Sequence, residues 1–100
     1  MNIEAVAWGE KTEAGDSIMY KMQAVIKGKR EKNRLIKELV DWRPCGEGYD
    51  PTEEKTIVIY MRKFKDKNSW VRFAKTLSFP VDEVNNRTGK RRTINARRRK

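Results

Sequence analysis

Apolar and polar residues alternate between Ile18 and Ile26. Ile18, Tyr20, Met22, Ala24 and Ile26 share one face, while Lys21, Gln23 and Lys27 fall on the other. A period of two predicts a half-buried strand. Ile3–Trp8 reads as a shorter strand, and the polar, glycine-bounded stretch from Gly9 to Ser17 joins the two. A hairpin is the expected result. Gly28 breaks the alternation, and from Lys29 to Trp42 the period lengthens. Leu35, Ile36, Leu39, Val40 and Trp42 make one stripe of an amphipathic helix, which Pro44 and Gly46 end. On its polar side Arg30, Arg34 and Lys37 lie three or four residues apart and so share a face.

Arg43–Lys55 contains Pro44, Gly46, Gly48 and Pro51 and reads as a long connection. Thr56–Phe64 is rich in β-branched and aromatic residues, and its first half is apolar on both faces, as in a central strand. Asp66, Asn68 or Ser69 is placed to cap a second helix, with Trp70, Phe73, Ala74 and Leu77 as its buried stripe and Pro80 as its stop. Asp82–Asn85 reads as a last turn. No periodicity continues beyond Asn86. The expectation is an α+β fold: one small domain over residues 1–85, in the order β-β-α-β-α, with the helices packed on one face of a short sheet. A disordered, arginine-rich basic tail, residues 86–100, is expected to follow it.

Charge adds what periodicity leaves out. The chain carries 24 Lys and Arg against 14 Asp and Glu, a net of +10. Residues 86–100 hold Arg87, Lys90, Arg91, Arg92, Arg97, Arg98, Arg99 and Lys100, which are eight cations without an acid. Residues 1–85 are left with 16 cations and 14 acids, a net of +2. Such asymmetry points to an interaction arm on a near-neutral body. Within the body the sign alternates in blocks: +5 over Lys27–Lys37, −5 over Glu38–Glu54 and +5 over Arg62–Lys75. The 37% hydrophobic content is low for a globular chain. The tail contributes little to it, so Trp8, Trp42, Trp70, Phe73 and Phe79 remain available to anchor a core.

Several chemistries are disfavoured. Without histidine, and with Cys45 as the one cysteine, neither the usual zinc sites nor a Ser-His or Cys-His nucleophile pair is available. No phosphate-cradling glycine loop is present. Asp41 or Asp50 with Glu53 or Glu54 offers a remote prospect of a carboxylate-only Mg²⁺ site, but a turn-rich surface loop explains those acids more simply. No cofactor, no metal and no enzymatic activity are expected. No apolar run reaches membrane-spanning length, and MNIEAVAWGE has neither a basic leader nor an apolar core of a signal peptide. An intracellular location is expected, nuclear in a eukaryotic cell.

The positive expectation is a non-enzymatic nucleic-acid-binding protein. Arginine forks onto phosphates and stacks on bases better than lysine does, and arginine outnumbers lysine six to two in the tail. RNA is therefore slightly favoured over DNA. The candidate contacts are the eight tail cations together with Lys29, Arg30, Arg34 and Lys37 on the first helix. Tyr60, Phe64, Trp70 and Phe73, in or beside the second basic block, are candidates for base stacking, although Trp70 and Phe73 fit the core better. The alternative is a small protein inhibitor or adaptor, such as a phage or viral accessory protein, that binds a host macromolecule, for instance a nucleic-acid enzyme. One regulatory expectation accompanies the first reading: Glu47, Asp50, Glu53 and Glu54 fold back on the tail and screen it.

Overall fold

Alternation along the first two strands fixes the base of the sheet. A computed structural model describes residues 3–95. β1 (Glu4–Lys11) and β2 (Ile18–Ile26) pair antiparallel, with Ala5 opposite Ala24 and Ala7 opposite Met22. The turn between them closes on Thr12, whose amide donates to the Ser17 carbonyl at 3.1 Å, and on Gly15, which adopts φ +75°. Ala5, Ala7, Tyr20, Met22, Ala24 and Ile26 are buried, while their alternates Val6, Trp8, Met19, Lys21, Gln23 and Val25 are half-buried on the other face. Gly9 belongs to the covered face because the Tyr20 ring lies on it: a Cβ there would meet Tyr20 Cε2 at 2.7 Å.

The first helix, α1 (Lys29–Glu38), is shorter than its apolar stripe predicts. The chain leaves the helix at Leu39, yet Leu39 and Trp42 remain buried, so the stripe continues into the core without helical backbone. Arg43–Asp50, expected as a connection, is strand β3. It pairs antiparallel with β4 (Lys55–Phe64) and forms one edge of the sheet. Every β3 residue except Asp50 is exposed, so no buried face imposes a period of two on the sequence. Backbone pairing alone defines this strand. Pro44 is tolerated because an edge strand leaves half its amides unpaired, and the register shifts between Pro44 and Gly46 in a bulge.

β4 matches its predicted extent and lies antiparallel to β2. A parallel crossover from β2 is therefore absent, because β3 intervenes and turns the chain back. α2 (Lys67–Ala74) is capped by Asp66, which accepts from the Ser69 amide at 2.9 Å. Asp82–Asn85, expected as a last turn, falls largely within strand β5 (Val81–Val84), parallel to β1 with Ala5 opposite Val81. Four residues are too few for alternation to be legible. Arg91–Thr93, inside the segment expected to be disordered, is strand β6, antiparallel to β5. The result is α+β, a six-stranded mixed sheet of order β3-β4-β2-β1-β5-β6 with two helices.

Leu35, Leu39 and Trp42 pack with Trp70, Ala74 and Leu77 on the face formed by Ala7, Met22 and Val58, in one core. Its centre is aromatic. Tyr20 stacks on Trp70 at 4.5 Å, and Trp42 and Phe64 approach the same indole at 6.0 and 5.7 Å. The opposite face of the sheet carries neither helix.

Candidate nucleic-acid interface

The tail cations are divided by the fold. Asn85 builds the loop that turns β5 into β6: its Oδ1 accepts from the amides of Arg87 at 2.8 Å and Thr88 at 3.3 Å. Its carbonyl accepts from the Gly89 amide at 2.7 Å, and Gly89 takes φ +74°. Arg87, Lys90, Arg91 and Arg92 are exposed on this hairpin. Lys90, Arg91 and Arg92 line a shallow cavity with Lys67 from the start of α2 and with the Glu83 carboxylate. Lys67 lies in the second basic block of the sequence but has no linear proximity to the tail. Its position one residue after the Asp66 cap is the local signal that it sits at a helix start.

Acids within this cluster hold two of its cations. Arg91 Nε donates to Asp82 Oδ2 at 2.8 Å, and Lys67 lies 3.7 Å from Glu83 Oε2. Hydrogen bonds from the Thr93 hydroxyl, then from Arg91, hold the Asp82 carboxyl below the usual carboxylate range. Glu83 is more deeply placed: its Oε1 accepts from Trp70 Nε1 at 2.8 Å. Burial, and secondarily the Glu83 charge, push the Tyr20 phenol up to about 12. Arg87, Lys90 and Arg92 make no ion pair among the described residues, and Arg91 engages Asp82 through Nε.

The base of the remaining tail is anchored. Asn95 is buried, its Nδ2 donating to the carbonyls of Ala74 at 3.0 Å and Phe79 at 2.9 Å. Its Oδ1 accepts from the Val81 amide at 2.8 Å. Arg97, Arg98, Arg99 and Lys100 lie outside the described residues.

On α1, Arg30, Arg34 and Lys37 line one shallow surface depression, as their spacing predicts. Arg34 Nη1 is 3.5 Å from Glu38 Oε2, which also accepts from the Ser78 hydroxyl. Lys29 instead faces a neighbouring hollow with Lys27 and Lys32 at the end of β2. The aromatic candidates belong mostly to the core: Trp70 and Phe64 are buried, and Tyr60 and Phe73 pack against the cluster. Arg62 caps this group, its guanidinium 4.8 Å from the centre of the Phe64 ring.

The acidic segment does not screen the described part of the tail. β3 and β6 are the two edges of the sheet, five strand spacings or about 24 Å apart. The acids have local partners: Asp50 Oδ1 accepts from the Thr52 amide at 2.9 Å, and Glu53 and Glu47 pair with Lys55 at 2.9 Å and Lys32 at 3.5 Å. They serve the β3–β4 turn and the α1 flank.

Among the described residues no helix is long and apolar enough to cross a membrane. No family model, curated protein or solved structure matches the chain.

Proposed function

We propose that the protein is a non-enzymatic nucleic-acid-binding protein whose affinity is set by the cations of residues 86–100. The observation that carries this reading is the charge distribution: eight of the ten net positive charges fall in that segment. Its hairpin holds Arg87, Lys90 and Arg92 outward and free of local ion pairs among the described residues. Phosphates neutralised by such cations release condensed counterions, so affinity falls steeply with salt. The Arg30–Lys37 depression on α1 supplies a second, weaker patch, since Arg34 is shared with Glu38. RNA is favoured over DNA on the arginine content of the segment.

Fluorescence anisotropy with RNA and DNA oligonucleotides across a salt series tests the proposal. The log–log slope is expected at about −6 on duplex DNA if seven phosphates are engaged. Replacing Arg87, Lys90 and Arg92 by Gln should flatten it by about 0.9 for each phosphate left without its cation. Neutralisation is the cleaner perturbation, because deleting residues 86–100 also removes β6 and the buried Asn95. Absence of binding at low salt would sink the reading.

A further inference from the structure

The sheet face that carries neither helix has an ordered chemistry. Register across the sheet brings one residue from each strand into a single transverse row. Arg43 lies opposite Met61, Met61 opposite Lys21, and Lys21 opposite Trp8. The pairing of Val6 with Asp82 carries on to Val84 beside Trp8, and Val84 lies opposite Arg91. The row therefore reads Arg43, Met61, Lys21, Trp8, Val84, Arg91. Cations occupy both edges and the centre, with apolar groups between them. Trp8, Lys21, Met61 and Val84 are each half-buried, and Arg43 and Arg91 are exposed. Among the described residues no ion pair engages Lys21 or Arg43. Arg91 has Nε on Asp82, which leaves its terminal nitrogens for another acceptor.

Trp8 is the member that core packing does not explain. Trp42 and Trp70 are 4% and 0% exposed and belong to the helix-side cluster. Trp8 lies on the other face, since its neighbours Ala7 and Gly9 turn toward Met22 and Tyr20. A half-buried indole flanked by Lys21 in a row spanning about 24 Å offers a stacking surface with cations beside it. Glu10 and Asp82 lie on the two adjacent rows of this face and Glu4 on the next one out, none of them on this row. A second copy of the chain stacked there would have to bury Lys21 and Arg43, which have no ion-pair partner among the described residues, and this disfavours a protein occupant.

We infer that a single-stranded nucleic acid crosses this open face along the row from Arg91 to Arg43, stacking a base on Trp8 while Lys21, Arg43 and Arg91 hold its phosphates. This rests on the nucleic-acid reading above and adds the ligand class and the path. A duplex keeps its base faces inside its own stack, so the indole selects for unpaired strands. Extended across the sheet, the row holds on the order of four nucleotides.

The test uses the full chain with a uridine octamer, a deoxythymidine octamer and a duplex of equal length. Tryptophan emission and labelled-oligonucleotide anisotropy are followed together. The expected result is quenching by the single strands that is absent in Trp8→Phe. Trp8→Ala and Lys21→Glu should each weaken octamer binding on the order of tenfold, with the melting temperature recorded for every variant. Lys21→Glu guards against a folding defect of Trp8→Ala, because Lys21 lies on the face away from the hydrophobic core. Octamer binding with unchanged emission, and unchanged affinity in both variants, would overturn the path and leave the general reading intact. Equal quenching by the duplex would overturn the single-strand assignment. A dimer in sedimentation that shields Trp8 would show the face to be a protein interface and overturn the proposal. No binding by any oligonucleotide at low salt would remove both readings.

Discussion

Two buried tryptophans sit side by side with different polar fates. Trp70 Nε1 donates to Glu83, whereas Trp42 Nε1 is buried and has no hydrogen-bond partner among the described residues. An unpaired buried donor costs about 1–3 kcal/mol, so Trp42 carries that burden already. Replacing each by Phe removes similar area but different polar contacts. Trp70→Phe strips the half-buried Glu83 of a donor and leaves its charge to Lys67 alone. Urea unfolding should show Trp70→Phe to be the more destabilising of the two, by about 1 kcal/mol. Equal costs would mean that Glu83 finds another donor or water. Both residues were legible as core anchors in the sequence, because each falls on an apolar stripe. Their hydrogen bonding was not, because Glu83 reaches Trp70 only through the placement of β5.

At the level of elements, the β5–β6 hairpin is held by side chains more than by apolar burial. Asn95 satisfies Val81, Ala74 and Phe79 at once. Asn95→Ala leaves those backbone groups without partners and should cost about 1–3 kcal/mol in urea unfolding. Asp82 gathers Thr93 and Arg91 onto the same hairpin. Its depressed pKa sets the sign of a pH effect. The contribution is fully present above the ordinary carboxylate value near 3.8 and is lost as pH falls through the lower folded value. Thermal melts carried from pH 5 to well below 3.8 should therefore show a shallower acid loss in Asp82→Asn than in the parent chain, with the difference opening below 3.8. A parallel fall in both would assign the acid sensitivity to other carboxylates.

These elements also mark where the sequence stopped being readable. β2 and the two helices carry alternation or a helical stripe over eight residues or more, enforced by one buried face, and β4 carries a long β-branched and aromatic run. β3 has no buried face, β5 has four residues, and β6 has three exposed ones. Their signals were turn chemistry instead: Pro44 before a bulge, Asp50 over the Thr52 amide, and Asn85 with Gly89 in the hairpin loop. Among the candidate binding residues, the α1 trio stood together as its spacing required. The tail set was separated into hairpin cations and a segment beyond Asn95, and Lys67 joined the hairpin only through the fold.

For the molecule as a whole, charge and topology divide the surface. The acidic turn lies at one edge of the sheet and the cationic hairpin at the other, while Arg43 puts a cation on the acidic edge at the end away from that turn. Topology has a further effect through the parallel pairing of β1 with β5, which joins Ala5 to Val81. Closing so long a loop is entropically costly and makes the pairing late. A nascent chain can form the β1–β2 hairpin and add β4 while β1 still has a bare edge. Until Val81 leaves the ribosome, that edge is a template for another chain. Glu4, Glu10 and Lys11 are the charges on it, and charged side chains on a bare edge oppose pairing with a neighbour.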